Sequence, residues 1–116
     1  MQLIKEKISL DELRKMSEKM YNQLVKAVVD IEQEIMMVDA GLHADQEDAL
    51  LEKGSKQEAL WGINLYPEKV GTAGFIEFDS MINIRPSQGN RSRDVEDPQI
   101  RKNINQIVAD LIKEKL

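Results

Sequence analysis

The most chemically distinctive stretch of the sequence runs from Arg85 to Arg93, RPSQGNRSR, and holds three of the five arginines in the protein. Lysine outnumbers arginine eleven to five overall, yet this stretch contains neither a lysine nor an acidic residue. A planar guanidinium binds a carboxylate or phosphate through two parallel hydrogen bonds, and Gly89-Asn90 permits the positive φ that turns successive N–H groups toward an anion. The stretch predicts a site for an anionic group, with these candidate residues: Arg85, Ser87, Asn90, Arg91 and Arg93.

A row of polar residues overlaps the start of this stretch. Apolar and polar residues alternate over residues 75–85, which predicts a strand with one polar face. The residues on that face are Glu77, Asp79, Asn83 and Arg85. Asp79 and Asn83 therefore join the candidate ligand-binding residues. A solvated sheet face gives the same pattern, with Asp79 pairing with the arginines, so both interpretations stay open.

Two side chains are candidates for acid–base catalysis: Glu77 in the polar row, and His43, the only histidine of the protein. With Arg85 and Arg91 stabilising phosphoryl charge, either would give a metal-independent hydrolase or nuclease. The alternative for His43 is a surface or structural role. One histidine and no cysteine exclude a two-His or thiolate metal site, and neither a metal nor another cofactor is expected.

Capping signals predict two helices. Ser9 and Glu12 form a capping box, and the apolar spacing that follows predicts a helix from Leu10 to about Gln23. Asp97-Pro98 is an N-cap followed by proline at the first helical position. It precedes an apolar stripe at helical spacing, which predicts a C-terminal helix packed on a sheet.

The segment 25–38 is ambiguous, because helical apolar spacing continues through it while its residues are rich in β-branched valine and isoleucine. We favour strands near Val25–Ile31 and Ile35–Val38, although no glycine marks the turn between them. Elsewhere the pattern predicts a helix at 46–53 and strands at 2–8, 42–45, 60–66 and 75–85.

These elements predict one α+β domain over residues 1–116, with a mostly antiparallel sheet of about four strands and a helix from each end of the chain packed on it. The net charge of −5 and the low aromatic content argue against broad nucleic-acid binding. No apolar run reaches the length of a membrane span. We expect a cytoplasmic protein that binds a small anionic ligand, or alternatively an interaction protein that forms a homodimer.

The chain resembles a family of short prokaryotic proteins defined only as a domain of unknown function. The segments that carry the resemblance are LWGINLYPE, FIEFDSMINIRPSQGNRSR, VEDP, VKAVVDIE, LHAD and GSKQ. The similarity spans nearly the whole chain and implies a free-standing single domain. It implies no activity, cofactor or catalytic residue, so no site residue is transferred from it.

Overall fold

The structure is a computed structural model that describes residues 1–20 and 23–113. Five strands and three helices follow each other in the order β1 (Gln2–Ile4), α1 (Leu10–Ser17), β2 (Val25–Asp30), β3 (Ile35–Val38), α2 (His43–Glu52), β4 (Leu60–Leu65), β5 (Ile76–Glu77) and α3 (Pro98–Leu111). Short 3-10 turns occupy residues 57–59, 67–69, 81–83 and 86–88. None of the described helices combines the length and apolarity that a membrane crossing requires.

The strands form one antiparallel sheet in the order β1-β3-β2-β4-β5. The α+β class is therefore confirmed, with five strands where about four were predicted. The central strand β2 pairs with β4 over its whole length, and this register places Lys26 opposite Asn64 and Val28 opposite Gly62. That pairing places Lys26, Asn64 and Gly62 on the same face of the sheet.

The hairpin interpretation of residues 25–38 is confirmed, since β2 and β3 are antiparallel neighbours. Both faces of β2 are buried, so apolar residues occupy odd and even positions alike and imitate helical spacing. The turn needs no glycine because the Asp30 carboxylate accepts hydrogen bonds from the N–H groups of Glu32 and Gln33, each at 2.9 Å. Glu34 then takes the positive φ of 57°.

Each face of the sheet has its own apolar core. The first face carries Ala27, Val29, Trp61, Ile63 and Leu65 and is covered by α1 and α3. The second face carries a smaller cluster of Val28, Ile35, Met37 and Leu60, covered by Leu50 of α2. The turn at 81–83 lies beside α2 on this second face. The predicted terminal helices thus cover one face, while α2 and the loop after β5 cover the other.

Two helix boundaries differ from the prediction. α1 ends at Ser17 rather than near Gln23; the Ser17 hydroxyl donates to the Arg14 carbonyl at 2.7 Å, a local bond that competes with continued helix. Residues 21 and 22 of the predicted range lie outside the described residues. The strand predicted at 42–45 is wrong, because α2 begins at His43.

The long strand predicted at 75–85 is also wrong, since only Ile76–Glu77 pair with β4. The chain then leaves the sheet, and the Ser80 hydroxyl accepts from the N–H of Ile82 to begin the 81–83 turn. Further along β4, a side chain replaces the missing strand. The Asn83 amide accepts from the Gly62 N–H at 2.8 Å and donates to the Gly62 carbonyl at 3.0 Å. Alternation in the sequence therefore extended past the true end of β5.

Candidate functional site

Arg85, predicted to bind an anion, is buried and directed into the fold. Its guanidinium donates to the carbonyl oxygens of Gln57 and Leu60, and it lies 4.2 Å from the centre of the Trp61 ring. Burial lowers the pKa of Arg85, opposed by the charge of Glu47. Two of its nitrogens are thus engaged with backbone carbonyls of β4 and the turn before it.

Asn83 and Asn90 organise the loop from inside. Besides its bonds to Gly62, Asn83 donates to the Arg93 carbonyl at 3.0 Å. The Asn90 amide donates to the carbonyls of Asn83 and Asp94, both at 2.7 Å, and accepts from the Glu96 N–H at 2.9 Å. Both asparagines are buried, so their polar groups hold backbone rather than face a ligand.

Backbone N–H groups that bind an anion, predicted near Gly89, occur two residues after it. The anion they bind is a carboxylate of the protein itself. The N–H groups of Arg91 and Ser92 both donate to one oxygen of Glu96 at 2.8 Å, as does the Ser92 hydroxyl. These hydrogen bonds lower the pKa of Glu96, the Ser92 side chain contributing most. The Arg91 side chain and Ser87 are exposed nearby.

The remaining members of the predicted polar row form pairs. Asp79 accepts from the guanidinium of Arg93 at 2.6 Å, in an ion pair that is about half exposed. Glu77 accepts from the Asn64 amide at 2.8 Å and the Tyr66 hydroxyl at 3.2 Å. Burial, followed by the charge and hydrogen bond of Glu77, raises the pKa of Tyr66. Asn64 also donates to the Asp79 carbonyl, which links the two pairs.

His43 and Arg93, which lie fifty positions apart in the sequence, meet in a cleft of about 190 Å³ on the second face of the sheet. The cleft is lined by Lys26, Leu42, His43, Ala44, Ser80, Met81, Ile82 and Arg93. Two cations thus lie around one histidine, and Leu42 and Met81 are the exposed apolar side chains at the same place. Within the described part of the chain, Lys26 has no salt-bridge partner.

His43 is held in the cleft by one hydrogen bond, between its Nε2 and the Ile63 carbonyl at 2.8 Å. It is 8% exposed. Burial lowers its pKa, with Lys26 and Arg93 acting in the same direction and the Ile63 carbonyl and Asp79 opposing. The imidazole is therefore neutral at neutral pH.

The first turn of α2 opens onto the same cleft without a side-chain cap. Leu42 occupies the N-cap position and makes no capping hydrogen bond, whereas Ser, Thr, Asp and Asn are the residues that satisfy the first N–H groups. Leu42 is 60% exposed. A helix N-terminus carries a partial positive charge and unpaired N–H donors, so the cleft receives a third source of positive potential.

Gly62 lies under the loop residues that line one side of the cleft. A Cβ at position 62 would lie 2.5 Å from both Cβ and Oγ of Ser80 and 3.1 Å from Ile82. Ser80 and Ile82 line the cleft, so the missing side chain lets the loop lie directly on β4. Sequence reasoning missed Ser80 and Lys26 as site residues; the isolated lysine inside an apolar strand was the available signal for Lys26.

Of the predicted residues, the cleft therefore contains His43 and Arg93, with Asp79 bound to Arg93. Arg85, Asn83 and Asn90 lie inside the loop, Arg91 and Ser87 on its surface, and Glu77 beside Asn64. Among the described residues, no group of three or more His, Asp or Glu side chains has an arrangement suited to a metal ion.

The family profile described as "Protein of unknown function (DUF5674)" matches residues 2–111. No curated protein and no solved structure matches the chain significantly.

Proposed function

The chain belongs to the DUF5674 family, whose description names no activity, and we propose from the geometry of the cleft that the protein binds a small anionic ligand at the N-terminus of α2. The observation that carries the proposal is the uncapped first turn of α2, which opens between Lys26 and Arg93. Helix N-termini bind phosphate and carboxylate through free N–H groups and the helix dipole. The nearly buried His43 adds a polar group that a ligand can reach.

The size of the cleft supports a small ligand or the head of a larger one. A volume of 190 Å³ corresponds to about six water molecules at roughly 30 Å³ each, which suits a phosphate or a short carboxylate. The apolar side chains of Leu42 and Met81 at the rim offer contacts to a hydrophobic substituent. The ligand would have to share Arg93 with Asp79 or displace that carboxylate.

Two arginines of the same loop provide a matched test. Arg93 lines the cleft, whereas Arg91 is exposed and does not. Inorganic phosphate at 100 times its Kd is expected to stabilise the wild-type protein by about 2.7 kcal/mol in thermal unfolding. Arg93→Gln should weaken phosphate binding about tenfold, through loss of a charge-assisted hydrogen bond, and Arg91→Gln should leave it within about twofold. Equal loss in both variants, or no stabilisation by phosphate or carboxylates, would refute the proposal.

A second test changes the helix rather than the cations. Leu42→Asp supplies the missing cap, so it should stabilise the ligand-free protein by about 1 kcal/mol while its carboxylate competes with a bound anion. Leu51→Asp makes the same change at the other end of α2 and should not weaken anion binding. Unchanged phosphate affinity in Leu42→Asp would exclude the helix N-terminus from the site.

A hydrolase remains the second candidate, and one observation favours it: His43 is neutral and lies in the cationic cleft, where it can act as a general base. Release of p-nitrophenol from phosphate mono- and diesters, lost in His43→Phe, would support it. Glu77, Arg85 and Arg91, the other predicted catalytic residues, do not line this cleft.

The cytoplasmic location, the prokaryotic origin and the homodimer expected from the sequence are likewise proposals. For the homodimer, Met81 at the cleft and Ile84 three residues later are exposed and offer apolar contacts. Light scattering over a range of protein concentrations, with Met81→Ser as the variant, distinguishes a dimer from a monomer.

A further inference from the structure

The orientation of His43 determines which of its nitrogens a ligand can use. A backbone carbonyl only accepts hydrogen bonds, so the 2.8 Å contact with the Ile63 carbonyl requires that Nε2 carries the proton. In the neutral ring, Nδ1 is then unprotonated and offers a lone pair. Nδ1 makes no hydrogen bond to any described residue. Because His43 lines the cleft and Nδ1 keeps accessible surface, the ring nitrogen left for a ligand is an acceptor.

The surroundings of the ring favour this neutral form. Lys26 and Arg93 both disfavour a third positive charge, as does burial, while Asp79 and the Ile63 carbonyl act in the opposite direction with smaller effect than burial. Burial has the largest effect on the pKa of His43. The cleft thus combines cationic donors with one neutral acceptor.

This combination discriminates between anions of the same charge and shape. Sulfate and simple carboxylates present only acceptor oxygens at neutral pH, so one of their lone pairs would face the lone pair of Nδ1. Hydrogen phosphate keeps one P–OH group, and a hydroxy-carboxylate has a hydroxyl beside its carboxylate. Either supplies the missing proton. An acceptor that a bound anion encloses without offering it a donor disfavours binding enough to be measured.

We infer that the ligand of this cleft is an anion with its own hydroxyl proton, of the hydrogen phosphate or hydroxy-carboxylate class, which donates that proton in a hydrogen bond to Nδ1 of His43. The inference rests on the proposed function. Lys26, Arg93 and the first turn of α2 would bind the charged oxygens, while His43 would select the protonated one.

Paired anions test the inference on the unmodified protein. At pH 7.5, calorimetric titration with phosphate and sulfate, and with glycolate and acetate, should show about tenfold tighter binding of the hydroxyl-bearing member of each pair, which equals about 1.4 kcal/mol. Equal affinities within both pairs would overturn the inference while leaving anion binding intact. Binding of none of the four anions would instead overturn the proposed function on which the inference depends.

The single histidine allows a direct spectroscopic test. In the ¹⁵N-labelled wild-type protein, the free state should show a protonated Nε2 and an unprotonated Nδ1. Added phosphate should shift the Nδ1 resonance as expected for an accepted hydrogen bond, and added sulfate should not. A complex in which both nitrogens are protonated, or in which Nδ1 does not respond to phosphate, would overturn the inference.

A variant without Nδ1 tests whether this nitrogen causes the preference for phosphate over sulfate. His43→Phe keeps a planar ring and removes the acceptor, so phosphate and sulfate should bind with affinities within about twofold of each other. Retained tenfold selectivity in a folded His43→Phe protein would contradict the inference. If this variant does not fold, the ¹⁵N titration of the wild-type protein decides.

Discussion

The Asn83 side chain forms hydrogen bonds with the edge of β4 where a neighbouring strand would otherwise pair. Its substitution tests whether these hydrogen bonds hold the loop on β4. Its amide makes three of them: one accepted from the Gly62 N–H, one donated to the Gly62 carbonyl and one donated to the Arg93 carbonyl. Asn83 has no exposed surface. Removing its amide leaves the N–H and the carbonyl of Gly62 without partners, whereas the Arg93 carbonyl keeps the hydrogen bond that it accepts from the Ser80 N–H.

The size of the effect follows from that count. At about 1 kcal/mol or more for each buried group left unpaired, Asn83→Ala should lower the free energy of unfolding by about 2 kcal/mol. Asn83→Asp keeps the shape and the acceptor, but places an oxygen where the amide nitrogen donates to two carbonyls. It should therefore be at least as destabilising as Asn83→Ala at neutral pH, with partial recovery in acid, where the new carboxyl group becomes protonated and donates one hydrogen bond.

Urea unfolding followed by circular dichroism measures the change. With a slope of about 2 kcal/mol/M, a loss of about 2 kcal/mol lowers the midpoint by about 1 M. Asn105→Asp makes the same chemical change at an exposed position of α3 and should stay within about 0.5 kcal/mol of wild type. Equal midpoints for Asn83→Asp and Asn105→Asp would refute the assignment of Asn83 as the partner of the β4 edge.

Three further predictions concern packing and pH. Gly62→Ala should destabilise the protein by about 1–3 kcal/mol, because the new Cβ would lie 2.5 Å from Ser80. Adding Ser80→Gly should restore most of this lost stability. The control Gly41→Ala should destabilise the protein far less, since there is open space around Gly41. The pKa of His43 is lowered from 6.5 in the folded protein, so its contribution to stability is complete above pH 6.5 and falls as the pH drops toward the folded-state pKa. The thermal unfolding temperature of His43→Phe should lack this dependence on pH. Glu96, whose pKa is lowered from 4.5, contributes stability above pH 4.5 that is lost as the pH falls through its folded-state pKa, and Glu96→Gln should flatten the unfolding profile in that range only.

The elements with local signals could be predicted from the sequence. Ser9 accepts from the Glu12 N–H at 3.0 Å and Asp97 accepts from the Gln99 N–H at 2.8 Å, as the capping patterns indicated. These signals are readable because both partners lie within three residues. The β2–β3 hairpin was less certain because its turn uses the Asp30 carboxylate instead of glycine.

The site was less predictable because its residues come together only through the register of the sheet. Lys26 reaches the cleft because β2 pairs with β4 along its whole length, and His43 because α2 crosses the same face. The arginine-rich loop is a partial guide to the cleft, since Arg93 lines it and Arg85 does not. Composition reveals how many donors a segment has, but Arg85 uses its donors on backbone carbonyls of the protein itself.

Departures from local preference therefore locate the cleft better than the concentration of charge does. Leu42 occupies a position that favours a polar cap, and His43 is buried while its Nδ1 has no partner among the described residues. The missing cap reduces the stability of α2. A fold that only needed stability would gain from a polar cap at position 42. Leu42 and His43 both line one cationic cleft, so the anion proposed for this cleft would supply the partners that both residues lack.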